Sequence, residues 1–399
     1  MPFSQLMPET QTRTKRIIGH IEGTGKGPTL VFFGGIHGNE PSGVEALKNV
    51  FSELENSSLQ MQGSMYGIQG NSPALVKDQR FLEQDLNRIW TRKQIQHIKK
   101  TPAEKRSGEE LELMEILTLV NGIFENNSPP FYFIDFHTTS SKTLPFITIN
   151  DAMINRKFSR LFPVPIILGI EEYLEGPLLS YINELGYVSL GFESGQHHTE
   201  EAVVNSIAFT WLALEHSGFL KKEDQQKYHH HFKQLQSSAK SNVNFYEVIE
   251  RYAISSADAF KMKPGFESFD IIEKDTLLAT NHNKPVYSPQ KGILFMPLYQ
   301  KQGAEGFFIV RQIPKSILKV SAFLRRVKFD KFLTLLPGVY WENETKQRLM
   351  VNIKVARFFN KPFFHLLGYR NRTVDKDHLL MSNRENTAKN EMYEKTPWF

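Results

Sequence analysis

The stretch Thr29–Pro41, TLVFFGGIHGNEP, decides the fold of this chain. Its first part, Thr29–Phe33, is a short apolar run rich in strand-forming residues, and the pair Gly34-Gly35 ends it. Pro41 then suits the first turn of a helix, and a helical pattern continues to Leu54. The stretch therefore predicts a strand, a glycine-rich loop and a helix, which is the repeating unit of an α/β sheet.

Strand-like and helix-like segments go on alternating up to about residue 215. This alternation is typical of a mostly parallel mixed sheet flanked by helices. The later strand-like segments are Phe131–Phe136, Val164–Leu168 and Val188–Phe192, and the clearest helix-like ones are Glu109–Phe124 and Glu201–His216. We therefore expect an α/β domain over residues 1–250.

The pattern changes at Pro264, where short β-rich runs separated by proline and glycine begin and continue to about Val310. These runs predict a small all-β module, which we place at residues 251–318. The remainder, residues 319–399, mixes both patterns and is treated as a C-terminal extension of unknown role.

The composition excludes several classes of protein. The chain of 399 residues contains no cysteine, so it has no disulfides, thiolate zinc sites or cysteine nucleophile, and a transition metal would need His, Glu or Asp ligands. No apolar run approaches the roughly 18 residues that a membrane span needs. The polar start, Met1–Arg16, lacks the apolar core of a secretory signal, which predicts a cytoplasmic protein.

Basic residues are concentrated in the C-terminal extension. The whole chain has a net charge of +5, whereas residues 319–399 contain 16 Lys and Arg against 8 Asp and Glu. An anionic partner would explain this excess, and so would a solvated basic surface. We favour the solvated surface because the charges alternate with apolar residues, as in Arg325–Phe329, and nucleic acid is not expected as a partner.

Three strand ends carry residues that can bind a metal or move a proton. His37 and Glu40 lie three apart in the glycine-rich loop, His137 follows the second predicted strand, and Glu193 follows a later one. Two imidazoles and one carboxylate can hold zinc and leave a position open for water. Ligands of α/β sheets bind beyond the carboxyl ends of the strands, so these groups suit one site. Taken singly, each is more often a structural histidine or a surface carboxylate.

Four motifs in order resemble the succinylglutamate desuccinylase/aspartoacylase family, in the zinc carboxypeptidase-like clan. They are His37–Glu40, Asp85–Arg88, Asp135–His137 and Glu193, and the resemblance runs from about Thr29 to Val310. It implies a zinc carboxypeptidase-like fold and one zinc ion per chain, bound by His37, Glu40 and His137. It also implies that Glu193 is the general base, which takes a proton from water and passes it to the leaving amine.

The resemblance assigns the remaining site residues as well. An arginine is a planar fork of donors that can grip a carboxylate or an oxyanion, although a charged loop read alone is more often only solvated. By resemblance, Arg80 would polarise the substrate carbonyl, and Asn87 and Arg88 would hold a substrate carboxylate. Tyr299 is similar to the tyrosine that the β module of aspartoacylases sends to the site.

These inferences predict a zinc-dependent amidohydrolase that removes an N-acyl group from an N-acyl amino acid or a related small carboxylate. Aspartoacylases carry a further arginine about ten residues before the catalytic glutamate, whereas Tyr181–Leu185 contains none, so the substrate stays open. Two alternatives remain, a zinc carboxypeptidase acting on peptides and a non-catalytic protein that binds through its basic extension. A homo-oligomer, and another divalent metal in place of zinc, are also left open.

Overall fold

The computed structural model describes residues 16–399 except 222–228, 343–347, 353, 356–360 and 374–376. One sheet of eleven strands runs through most of these residues, and sheets of three and four strands follow in the C-terminal part. The strands are β1 Ile17–Glu22, β2 Thr29–Gly34, β3 Ser64–Gln69, β4 Phe131–Thr139, β5 Phe146–Thr148, β6 Ile166–Leu168, β7 Val188–Gln196, β8 Phe245–Ala253, β9 Lys261–Met262, β10 Ile271–Ile272, β11 Leu277–Asn281, β12 Lys284–Tyr287, β13 Gly292–Phe295, β14 Glu305–Gln312, β15 Val339–Trp341, β16 Arg348–Asn352, β17 Tyr369–Thr373 and β18 His378–Asn383.

The described helices flank the large sheet or pack in the C-terminal part. They are α1 Ser42–Glu55, α2 Ser72–Val76, α3 Arg92–Lys100, α4 Gly108–Asn126, α5 Met153–Ser159, α6 Leu178–Glu184, α7 Glu200–Ser217, α8 His229–Ser238, α9 Lys315–Arg326 and α10 Lys361–Leu366. None of the helices within the described ranges is both long and apolar enough to cross a membrane.

The centre of the large sheet is parallel, in the order β3, β2, β4, β7. Its strands are buried on both faces, which explains why their sequences are nearly continuous apolar runs rather than alternating ones. Antiparallel strands extend the sheet on both sides: β1 pairs with β3, and β8, β14, β13 and β10 form the far edge. The predicted fold, a mostly parallel mixed sheet flanked by helices with β structure after it, is confirmed.

Helices cover both faces of the parallel strands. Helices α1 and α7 cover one face, where Phe209 stacks on Phe192 with ring centroids 4.1 Å apart. Helix α4 covers the other face with Leu113, Ile116 and Val120. It starts at a capping box, in which Ser107 accepts from the backbone N–H of Glu110 and the Glu110 carboxylate accepts from that of Ser107. The helix predicted over Glu109–Phe124 is therefore confirmed.

Two of the predicted strands run further than expected. Strand β4 continues to Thr139 and β7 to Gln196, so His137 and Glu193 lie inside the strands rather than just after them. The two residues are direct partners in the parallel ladder. The prediction ended each strand too early, because the polar residues that normally mark a strand end here belong to a buried site.

The C-terminal extension packs on the main sheet rather than lying apart from it. Its four-stranded sheet has a core of its own, which includes Leu349, Tyr369 and Met381. Its last residues reach the main core, where the Trp398 ring lies 5.2 Å from that of Phe158. The expected division at residues 250 and 318 stays a prediction, since β8 crosses the first of these positions and α9 spans the second.

One hydroxyl group ties the end of the chain to two central strands. The Tyr393 hydroxyl donates to the carbonyl of Phe131, at 2.5 Å, and accepts from the backbone N–H of Val188, at 2.9 Å. These residues begin β4 and β7, and the Tyr393 side chain is fully buried. The hydroxyl therefore satisfies backbone groups that water cannot reach.

We expect Tyr393→Phe to lower the free energy of unfolding by about 1–3 kcal/mol, because a buried donor and acceptor lose their partner. Urea denaturation of the two proteins measures this change. Tyr340→Phe, the same substitution at a half-exposed ring, is the matched control and should shift the free energy by less than about 0.5 kcal/mol. Equal stability of Tyr393→Phe and the parent chain would contradict a stabilising role of the Tyr393 hydroxyl.

Candidate active site

The loop between β2 and α1 brings His37 and Glu40 to the carboxyl end of the sheet. Gly35 has a φ of 72°, in the left-handed region that favours glycine. Gly38 packs so closely on the segment after β3 that an added Cβ would lie 2.1 Å from the carbonyl carbon of Ala74. The glycines predicted to let the backbone bend tightly are therefore needed for that purpose.

Three buried side chains converge at this point. One Glu40 carboxylate oxygen lies 2.9 Å from Nδ1 of His37, and the other lies 2.8 Å from Nδ1 of His137. Ligand atoms of all three residues lie within 4.8 Å of one another. Two nitrogens and a carboxylate oxygen are a donor set that zinc accepts, and the Nδ1 atoms already point toward a common place. These residues could therefore hold a metal ion.

Two aspartates hold the outer nitrogens of the histidine rings. Nε2 of His137 lies 2.8 Å from Asp135, and Nε2 of His37 lies 3.2 Å from Asp85. Carboxylates in this position set the tautomer and orientation of metal-binding histidines. Neither aspartate is predicted from the sequence to have this role, although Asp135 and His137 are two apart in a strand and so share a face. That spacing was the available signal.

The electrostatics of the cluster favour a cation. Burial alone would lower the pKa of His137, but Asp135 and Glu40 outweigh it and hold this pKa well above its usual value. Burial would likewise raise the pKa of Glu40, yet His37 and His137 hold it well below its ordinary range. Buried carboxylates thus stabilise positive charge where the Nδ1 atoms converge.

Glu193 lies beside this cluster on β7. Its side chain is buried, and Oε2 has no hydrogen-bond partner among the residues that the structure describes. Burial raises the pKa of Glu193 to about 8, although the neighbouring His137 works in the opposite direction. A carboxylate with a free oxygen and a pKa near neutrality is suited to accept and release a proton.

The segment between β3 and α3 brings the predicted arginines to the same cavity. Arg80 binds Asp85 through Nε and Nη2, at 3.1 and 3.0 Å, and its Nη1 lies 3.6 Å from Glu40. Arg88 forms an ion pair of 3.2 Å with Glu305 of β14. The β module therefore contributes a charged residue next to the cavity.

Asn87 does more than line the cavity. Its Oδ1 accepts from the backbone N–H of Leu178, at 2.9 Å, and so fixes the start of α6. Its Nδ2 lies 3.5 Å from Nε2 of His137. The Asn87 side chain, which the resemblance predicts to bind the substrate, thus also has a structural role.

Tyr299 lies on the β module, and its predicted role in substrate binding stays a prediction. Its side chain is 41% exposed, and its hydroxyl oxygen lies 2.8 Å from the backbone carbonyl oxygen of Lys263 and 3.1 Å from that of Phe266. These contacts hold the ring against the β module, so Tyr299 is not among the described residues that line the cavity. Met296, three residues earlier, lines it instead.

One cavity joins all the other predicted site residues. It is lined by His37, Glu40, Arg80, Asn87, Arg88, His137, Thr138, Thr148, Ile149, Asn150, Ile170, Glu171, Leu174, Pro177, Leu179, Ser180, Ser189, Glu193 and Met296. Charged groups that can bind a metal or move a proton therefore share this space with an apolar wall.

Residues 26–200 match the family model of the succinylglutamate desuccinylase/aspartoacylase catalytic domain. These residues are similar to the catalytic domain of that family. The match contains every predicted site residue except Tyr299. The predicted resemblance is confirmed by the match.

Curated relatives are similar over short stretches. Succinylglutamate desuccinylase from Photorhabdus laumondii is 36% identical over 75 residues, which are 19% of this chain and 22% of that protein. The same enzyme from Pseudomonas fluorescens is 28% identical over 118 residues, which are 29% of this chain and 32% of that protein. The chain thus matches less than a third of the length of these relatives.

Solved structures of the family share the fold over a longer part of the chain. A succinylglutamate desuccinylase/aspartoacylase from Rhodobacter sphaeroides has a TM-score of 0.54 at 15% identity and covers 74% of this chain and 88% of its own. The ectoine utilization protein EutE (DoeB) from Ruegeria pomeroyi, with bound product, has a TM-score of 0.52 at 17% identity and covers 73% and 87%. At these identities the likeness extends to the fold alone.

We expect Asp135→Asn to weaken zinc binding roughly 10- to 100-fold, because His137 loses the carboxylate that orients its ring. Competition with a chromophoric chelator measures the affinity. Asp78→Asn, the same change at an exposed aspartate, is the control and should leave zinc affinity unchanged. An unaltered affinity in Asp135→Asn would show that His137 is oriented by other contacts.

Proposed function

We propose that this chain is a zinc-dependent amidohydrolase that removes an N-acyl group from an N-acyl amino acid or a related small carboxylate. The observation that carries the proposal is the free, buried oxygen of Glu193 beside the His37–Glu40–His137 cluster, in a cavity that Arg80 also lines. A base, a metal-binding set and a carbonyl-polarising cation are the groups that amide hydrolysis by water needs. The similarity of residues 26–200 to the family's catalytic domain supports this reaction class.

In this proposal His37, Glu40 and His137 hold one zinc ion per chain. Bound zinc lowers the pKa of a water ligand to about 7 and polarises a carbonyl group. Asp85 and Asp135 hold the two imidazoles so that Nδ1 of each lies beside Glu40, the third residue that would hold the ion. A third carboxylate, Glu40, supplies the negative charge of the ligand set.

Glu193 moves the proton. Its free oxygen takes a proton from the attacking water, and the carboxyl then gives this proton to the nitrogen of the leaving amine. Its raised pKa allows the carboxyl group to hold the proton between the two transfers. Without that proton the amine would have to leave as an anion, which is far less stable.

Arg80 and Arg88 provide the positive charges. Arg80 is held in place by Asp85 and donates to the carbonyl oxygen as negative charge develops there. Arg88, with the Asn87 amide beside it, holds the substrate carboxylate, and Glu305 orients the Arg88 guanidinium.

We also propose the division of the chain into a catalytic domain, a β-rich module and a C-terminal extension. A cytoplasmic location stays a prediction.

We expect Glu193→Gln to lower kcat for the best N-acyl amino acid about a hundred- to ten-thousandfold, because the amide cannot accept the proton. The measurement is amine release by the zinc-loaded protein from acetyl, succinyl, formyl and longer-chain N-acyl amino acids. Glu201→Gln, an exposed position on the following helix, is the matched control and should retain full activity.

Zinc content is measured on the same samples. The two variants and the parent chain should hold equal zinc, since Glu193 lies outside the ligand set. Release of C-terminal residues from peptides, with no N-acyl amino acid cleaved, would replace the proposal by a carboxypeptidase. Absence of any turnover by folded, zinc-loaded protein would overturn it.

A further inference from the structure

A second buried carboxylate, Glu171, lines the cavity and takes no part in the proposed reaction. Its side chain is only 2% exposed. Oε1 accepts from the backbone N–H of Asp151, at 3.1 Å, whereas Oε2 has no hydrogen-bond partner among the described residues. A buried carboxylate oxygen without a partner is costly, and because Glu171 lines the cavity, a donor group of a ligand would satisfy it.

Glu171 lies at the end of the cavity remote from Glu193. Ser189 and Glu193 both line the cavity and are four residues apart on strand β7, a distance of roughly 13 Å. Asn155 marks the Ser189 end: its Oδ1 accepts from the Ser189 N–H, and its Nδ2 donates to the carbonyl of Asn150. Asn150 immediately precedes Asp151, the residue bonded to Glu171.

Thr148 and Leu179 pack over the stretch of β7 between the two carboxylates. Gly191 lies midway between Ser189 and Glu193 on the same face of β7, and a Cβ there would meet Oγ1 of Thr148 at 2.4 Å and Cδ1 of Leu179 at 3.0 Å. Ile170, Leu174 and Leu179 supply apolar wall. The cavity thus suits an elongated molecule with an apolar middle, whose reacting carbonyl lies near Glu193.

The surrounding charges leave Glu171 without full compensation. The nearest cation is Arg370 of the C-terminal extension, with Nε 3.7 Å from Oε1, the oxygen that already has a partner. Its other nitrogens bind Asp151, at 2.6 Å, and Glu172, at 3.1 Å. The ion-paired cluster contains four carboxylates, three guanidinium groups and the His365 imidazole: Asp151, Glu171, Glu172, Glu385, Arg156, Arg325, Arg370 and His365. The carboxylates of this cluster outnumber its guanidinium groups by one.

We propose that Glu171 binds a primary ammonium or guanidinium group at the end of the substrate remote from the scissile amide. This inference rests on the proposed function and narrows its substrate to an N-acyl amino acid with a cationic terminus. A cation would pair with Oε2 by a charge-assisted hydrogen bond, whereas a terminal carboxylate would meet a buried like charge. The cation belongs either to the amino-acid side chain or to the acyl chain.

Matched substrate pairs show whether the cation belongs to the amino-acid side chain or to the acyl chain. Nα-acetyl-lysine and Nα-acetyl-norleucine differ in the side-chain ammonium, and a 4-aminobutyryl and a pentanoyl amide of one amino acid differ in the acyl ammonium. We expect the parent chain to prefer the cationic member of one pair by roughly 10- to 100-fold in kcat/KM, the range for a hydrogen bond to a charged group. An equal or reversed preference in both pairs would overturn the inference and leave the proposed function standing.

Two substitutions test whether Glu171 carries the preference. Glu171→Gln keeps the acceptor for the Asp151 N–H and removes the charge. The ratio of kcat/KM for the cationic substrate to that for the neutral one should therefore fall to near one. Glu171→Asp withdraws the charge by about 1.5 Å and should shift the preference toward a longer cationic chain. Glu175→Gln, an exposed glutamate in the same segment, is the matched control and should keep the parent ratio.

Binding separates this inference from the reaction itself. Calorimetric titration of the zinc-loaded protein with lysine, norleucine, 4-aminobutyrate and pentanoate needs no turnover. Tighter binding of a cationic member, lost in Glu171→Gln but kept in Glu175→Gln, would support the site even if no amide is cleaved. Equal binding of both members, or a cation preference that survives in Glu171→Gln, would refute it. Thermal melting of each variant confirms folding, and if Glu171→Gln is unfolded, the chain-length shift in Glu171→Asp decides.

Discussion

The carboxylate of Glu40 is the contact on which the site depends. It lies within 3 Å of Nδ1 of both His37 and His137, although His137 is 97 residues further along the chain. The contact requires β2 and β4 to be neighbours and in parallel register, and they are, with Phe33 opposite Asp135. It also requires the loop after β2 to turn sharply, which glycine allows. The strand pairing, the turn of the loop and the placement of the three metal-binding side chains therefore depend on one another.

Burial gives these charged groups their properties and also makes them interdependent. A buried ion pair is tolerated when its remaining hydrogen-bonding positions are filled, and removal of one partner is strongly destabilising. Asp85 illustrates this, since it contacts both His37 and Arg80 and links the metal-binding set to the proposed carbonyl-polarising cation. Glu193 and Glu171 each keep one oxygen unpartnered. Among the described residues that line the cavity, these are the two carboxylates with such an oxygen.

The C-terminal extension has a structural connection to the cavity that its composition did not suggest. Its basic residues were expected to form a solvated surface, but Arg325 and Arg370 are buried and bind Asp151 from the main domain. Through Asp151 and Glu172 they support the segment that carries Glu171. A basic excess in a sequence therefore does not by itself indicate an anionic partner, since the carboxylates that match it can lie in another part of the same chain.

Local sequence was sufficient for the features that depend on neighbouring residues. Periodicity and turn chemistry predict the strand at Thr29–Phe33, helix α4 and the glycine-framed loop. Motif order predicts the site residues His37, Glu40, His137 and Glu193. Local sequence does not predict three other features. They are the ladder pairing of His137 with Glu193, the position of Tyr299 on the β module and the burial of Arg370 beside Glu171. Those features depend on which strands become neighbours and on which side chains lose water, and residues far apart in the sequence decide both. Only the tertiary structure brings such residues together.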